Sequence, residues 1–112
     1  MAQPEHLNVK LSTEALSDLD EITAWNIEQN GFDQAVRYRT FLLNSISQLP
    51  ESYSACRQVK NRPDLRFTVL RWSSRGHGHI VVFVVDESSG TIRVAKLYHT
   101  SQNWEKLVRR SL

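Results

Sequence analysis

The chain has 112 residues, 40% of them hydrophobic, with one Cys and a formal net charge of +2. That length fits a single domain over residues 1–112 whose core needs no disulfide staple, and the lone Cys56 excludes both an internal disulfide and a cysteine-rich zinc module. No apolar run approaches the roughly 18 residues of a membrane span, and MAQPEHLNVK has no apolar signal-peptide core, so a cytoplasmic protein without a membrane partner is expected.

Leu7 to Leu11 alternates apolar and polar residues, which predicts a short half-buried strand. Ser12 then stands as an N-cap with Glu14 in the following turn, where the helix dipole favours an anion. Ala15, Leu16, Leu19, Ile22, Trp25 and Ile27 recur at helical spacing and predict an amphipathic helix stopped by Asn30-Gly31. Asp33 is placed to cap a second helix with Ala35, Tyr38, Leu42, Ile46 and Leu49 on one stripe, closed by Pro50. The short link makes the two helices an antiparallel hairpin. Residues 50–63 have no period and read as a loop.

Three strands follow. Asp64–Trp72 alternates, His79–Val85 is apolar on both faces as a covered central strand is, and Thr91–Tyr98 alternates less cleanly. Ser- and Gly-rich links join them as hairpins. Asn103–Arg110 fits a short C-terminal helix. The order β-α-α-β-β-β, with that helix at the end, predicts an α+β domain: an antiparallel sheet with an N-terminal helical hairpin packed on one face. Such a hairpin leaves sheet surface in want of a cover, which points to a groove for a partner's helix or strand.

Gly76-His77-Gly78-His79 offers two imidazoles, but two ligands do not make a metal site, and the glycines fit a turn. No phosphate loop, catalytic triad or paired-carboxylate motif is present in the sequence, so neither a metal nor a cofactor is expected. The charge is uneven. Residues 1–56 hold three Lys or Arg against eight Asp or Glu, whereas residues 57–112 hold eleven against four. A basic second half fits an acidic partner, protein or nucleic acid. Arg66, Arg71, Arg93 and Lys96 lie in or beside the strands, in company with Trp72, Tyr98, His99 and Trp104, and cations among aromatics suit phosphates and bases. Six of them, Arg66, Arg71, Arg93, Lys96, His99 and Trp104, are the candidate target-binding residues. Strict alternation puts Arg93, Ala95, Leu97 and His99 on one face of the last strand and Ile92, Val94, Lys96 and Tyr98 on the other.

Several segments carry a family resemblance. They are Leu11-Ser12-Thr13-Glu14-Ala15 leading into Asp18-Leu19-Asp20-Glu21-Ile22, then Ala35-Val36-Arg37-Tyr38 and Arg62-Pro63-Asp64-Leu65-Arg66. The strand His79-Ile80-Val81-Val82-Phe83 and the run from Ile92 to His99 complete the set. Over residues 8–108 the chain resembles the ParE/RelE superfamily of toxins from type II toxin–antitoxin systems, in particular the ParE-like plasmid-stabilisation toxins. The resemblance implies a small bacterial toxin neutralised by a cognate antitoxin, of the ribbon-helix-helix type, that wraps its surface. It implies one of two targets. ParE-like members poison DNA gyrase without evident catalytic groups, and this reading ranks first. RelE-like members cut mRNA on the ribosome, for which this chain offers His99 as acid or base with Arg71 and Arg93 holding charge. A third reading is a non-toxic nucleic-acid-binding or interaction module. Where ParE-like members usually carry Arg and Asp after the final-strand His, this chain has Thr100-Ser101-Gln102-Asn103-Trp104.

Overall fold

The computed structural model describes residues 7–73 and 76–112. Strand β1 (Asn8–Leu11) leads into α1 (Thr13–Asn30) and α2 (Phe32–Ser47), then a single turn α3 (Leu49–Ser52) and a 3-10 turn over Tyr53–Ala55. The chain continues through β2 (Arg57–Val59), β3 (Arg62–Leu70), β4 (His79–Asp86) and β5 (Thr91–His99) to α4 (Trp104–Ser111). The sheet has the order β1-β5-β4-β3-β2, so β4 lies at its centre, as its two-sided apolar sequence requires. The architecture is the expected α+β domain. The sheet is mixed rather than purely antiparallel, because β1 runs parallel to β5. Among the described residues no helix is long and apolar enough to cross a membrane.

Local chemistry explains the elements. The Ser12 hydroxyl accepts the Ala15 N–H at 3.0 Å and caps α1. Gly31, at φ 89°, ends α1 and begins α2 within one residue, a backbone state that a side chain would strain. Helix α2 therefore starts before Asp33, which sits in its first turn without capping it. Nor does Pro50 close α2. It occupies the first turn of α3, where the missing N–H costs no helical hydrogen bond. The segment read as loop contains β2, which pairs with β3 across a turn holding Asn61 at φ 67°.

Two apolar layers flank the sheet. Val81, Phe83, Ile92, Val94 and Leu97 pack under the α1–α2 hairpin against Ala15, Leu19, Leu42 and Ile46. On the opposite face Ile80, Val82 and Tyr98 pack with Val59, Leu65 and Val108. Trp104 and Leu107 of α4 join that second layer, so the sheet face expected to await a partner is covered by the chain's own last helix.

In α1 the buried stripe is Ala15, Leu19 and Asn26 with Ile22 half-buried, a clean i, i+4, i+7, i+11 series. Leu16, Trp25 and Ile27, read as core from their spacing, are 49%, 61% and 38% exposed. Each is one residue, or about 100°, from a member of the stripe. The polar Asn26 holds the core position that Trp25 seemed to claim. Its Oδ1 accepts from Asn30 Nδ2 at 2.6 Å.

Strand β5 also departs from strict alternation. Val82 lies opposite Lys96 but Phe83 lies opposite Val94, leaving Ala95 as an extra residue in a bulge. The bulge resets the parity: Leu97 joins Ile92 and Val94 under the hairpin, and Tyr98 turns to the α4 side. Beyond Val94 the strand loses β1 as its neighbour. Helix α1 supplies the missing partners. Ser12 Oγ–H donates to the Ala95 carbonyl at 2.7 Å, and Asp18 Oδ2 accepts the Leu97 N–H at 3.0 Å. The exposed strand edge is thus sealed by side chains.

Candidate functional site

The six sequence-predicted residues do not form one site. Arg66 donates to the carbonyls of Cys56 at 2.9 Å and Tyr53 at 3.4 Å, bracing the chain between α3 and β2. Lys96 is bound to Asp18 through Nζ at 2.8 and 3.0 Å, behind the sealed strand edge. Trp104, the first residue of α4, packs on Phe67 of β3 with ring centroids 4.6 Å apart. Arg93 is exposed near the opposite end of β5 from His99. Six residues of strand, about 20 Å at 3.3 Å each, separate the two. Arg71 and His99 do come near a common place, the end of the sheet where the β3–β4 connection meets the end of β5.

That place gathers groups from across the chain. His79 opens β4 directly opposite His99, and their rings meet edge to face at 5.2 Å. His77 lies 5.0 Å from His99. From α2, the Tyr38 hydroxyl bonds His79 Nδ1 at 2.6 Å. Its ring tilts against Trp72 at 5.5 Å, and Trp72 stacks on Phe41 at 6.0 Å and 9°.

The loop is held close by Gly78, whose N–H donates to Thr100 Oγ1 and whose carbonyl accepts the Thr100 N–H, both at 3.0 Å. A Cβ at Gly78 would stand 2.2 Å from the Leu70 carbonyl oxygen, so only glycine fits between β3 and β5 here. Arg71 Nη1 donates to the Gly76 carbonyl at 2.7 Å and braces the same loop.

Burial, then the neighbouring His99, holds His79 down to about pKa 4, so it is neutral at pH 7. His99 is lowered in the same direction by burial and by the charge of His77. Desolvation pushes the Tyr38 phenol up to about 12, keeping its proton in place. The Ser101 backbone N–H donates to His99 Nδ1 at 3.1 Å, and a backbone N–H can only donate. Neutral His99 therefore carries its proton on Nε2. With the phenol as the donor to Nδ1, His79 does the same. Among the described residues no group of three or more His, Cys, Asp or Glu is arranged to hold a metal ion. The rings meet edge to face or tilted, and all three Nδ1 atoms are engaged: His99 with Ser101, His79 with Tyr38 and His77 with the Thr100 hydroxyl at 3.4 Å.

The imidazoles line a groove of about 1110 Å³ between the hairpin and the β3–β4 connection. Trp25 and Trp72, 61% and 45% exposed, stand in its walls, and Arg37 and Glu21 lie along it. Trp72, one of the aromatics set among the strand cations in the sequence, does line the groove, whereas Tyr38 and Trp25 were missed as site residues.

The sequence matches the family described as ParE toxin of type II toxin-antitoxin system, parDE, over residues 9–104. The chain belongs to the ParE toxin family. Among solved structures it resembles the chromosomal ParDE toxin–antitoxin system from P. aeruginosa at a TM-score of 0.68 and 17% identity. That match covers 83% of this chain and 96% of the other. It also resembles a free-state double mutant of the E. coli toxin RelE, at a TM-score of 0.65 and 17% identity, covering 96% of this chain and 100% of that one. At that identity the likeness speaks for the fold. No curated protein matches the chain.

Proposed function

We propose that this ParE-family toxin acts by inhibiting DNA gyrase in the cytoplasm and is silenced by direct binding of a cognate ribbon-helix-helix antitoxin. The observation that carries the reading is the family match across residues 9–104, from β1 to the start of α4. The charge pattern supports it in a narrowed form. Asp18 and Asp20 of the acidic first half are paired with Lys96 and Arg39. Arg93 and, on α4, Lys106, Arg109 and Arg110 remain exposed. These cations, rather than Arg66 or Lys96, are the ones offered to an acidic target.

Induced expression tests the reading. A gyrase poison triggers the DNA-damage response while translation continues, blocks supercoiling by purified gyrase, and is relieved by co-expression of the adjacent antitoxin gene. Arg93→Glu reduces the effect with the fold intact. Translation arrest without DNA damage would refute it.

A second reading, mRNA cleavage, is favoured by one observation: His77 and His79 stand beside His99, so a second proton-transfer group is at hand. In that case His99→Gln costs on the order of 10²–10⁴-fold in cleavage, the usual worth of a general acid or base. For a gyrase poison the same variant keeps most of its toxicity.

A further inference from the structure

The groove between the hairpin and the β3–β4 connection is rich in donors and in aromatic surface. His99 presents Nε2–H, because the Ser101 N–H occupies its Nδ1, and His79 does the same with the Tyr38 phenol as donor to its Nδ1. The indole N–H groups of Trp25 and Trp72 and the Arg37 guanidinium add to the count. Against these, Glu21 is the one carboxylate among the described residues lining the groove. Trp72 is held by Tyr38 and Phe41 on its packed side and leaves 45% of its surface open. A ligand that suits such a groove is planar and rich in acceptors, and carries an anion.

We propose that this groove binds a nucleotide unit, its base stacked on Trp72 and Trp25 and its phosphate accepting hydrogen bonds from His99, His79 and Arg37. Stacking needs only a π face and so tolerates any base. Neutral imidazoles donate hydrogen bonds without repelling Arg37. Glu21 is placed to accept from a ribose hydroxyl. The site opens on the hairpin side of the sheet, at the other end of β5 from Arg93; Glu21, His79 and His99 also line a smaller cleft with Leu107 and Ser111, so it borders α4. The nucleotide unit is either a free mononucleotide or one residue of a single strand, and the two share this chemistry.

The test titrates the purified chain with adenosine 5′-monophosphate, adenosine, inorganic phosphate and a single-stranded hexanucleotide. Binding is followed by calorimetry and by the three indole N–H resonances. The nucleotide is expected to bind saturably and to shift Trp25 and Trp72 but not Trp104, which opens α4 and packs on Phe67 across the sheet. Adenosine and phosphate alone each bind at least about tenfold more weakly. Trp25→Ala, at a 61% exposed position where the fold tolerates change, weakens binding about 5- to 150-fold, the range measured for loss of a stacking partner. His99→Gln weakens the nucleotide but not adenosine. A hexanucleotide that binds more tightly than the mononucleotide identifies a strand as the source, and equal affinities identify the free nucleotide. Three results each overturn the proposal: no saturable binding at millimolar nucleotide, equal affinity for adenosine and its monophosphate, or binding lost in Arg109→Ala while Trp25→Ala retains it.

Discussion

Acid should loosen this protein through His79. The imidazole is held at a pKa of about 4, mainly because its site between Tyr38 and His99 is poor in water, against 6.5 for a free side chain. As pH falls through 6.5, the unfolded chain takes up a proton that the native state refuses until about pH 4. Native stability drops across that window and is unaffected by this group above it. At about 1.4 kcal/mol for each pH unit of separation, the full window bounds the loss at roughly 3 kcal/mol. The ring keeps some contact with water, and only part of the window lies between pH 7 and pH 5. About 1.5 kcal/mol is therefore expected over that interval, or roughly 6 °C in Tm for a domain of this size.

The assay is urea unfolding of the wild type and His79→Gln at both pH values. Gln keeps an acceptor for the Tyr38 hydroxyl but cannot titrate, and the carboxylates common to both proteins cancel in the difference. The variant should lose about 1.5 kcal/mol less than the wild type between pH 7 and pH 5. Equal losses in the two proteins would show that His79 titrates normally, and the argument from burial would fail.

Asp18→Ala should cost about 2–3 kcal/mol in urea unfolding at pH 7, since it strands both the Lys96 ammonium and the edge N–H of Leu97; a loss under 0.5 kcal/mol would mean water replaces the carboxylate. Tyr98→Phe should leave stability unchanged or raise it by up to about 1 kcal/mol, because the Tyr98 hydroxyl is buried without a hydrogen-bond partner among the described residues. Marked destabilisation would reveal a partner. Gly78→Ala should destabilise by at least about 2 kcal/mol and displace the resonances of His77, His79 and His99 together, given the 2.2 Å approach to Leu70; unperturbed imidazole shifts would show that the loop adapts.

The architecture was legible because the apolar periods are strong where tertiary packing is strongest. The stripe Ala35, Leu42, Ile46 and the two-sided run Ile80–Val85 point to their elements from sequence alone. Reading failed where a single residue changes the phase. Asn26 occupies a buried position and sends Trp25 outward, so hydrophobicity pointed to the wrong member of the pair. Ala95 inserts one residue into β5 and inverts every face assignment after it. Nothing local in Val94-Ala95-Lys96 announces a bulge. Its place is set by the need to bring Leu97 under the hairpin while Asp18 seals the Leu97 N–H.

The histidine cluster was invisible for a related reason. His77 and His79 flank a glycine, and His99 lies twenty residues beyond His79, so no spacing rule joins them. The register of β4 on β5 and the close fit of Gly78 bring them together. The same register explains why Tyr98, the natural companion for His99 in sequence, is unavailable: neighbours on a strand face opposite sides, and Tyr98 is committed to the α4 layer. His79 takes that place, and its Nδ1 is fixed from α2 by Tyr38. The hairpin therefore holds an imidazole at the sheet's end as well as covering one face of the core. The Tyr38–His79 bond is thus the point at which the groove's imidazoles are tied to both the hairpin and the sheet.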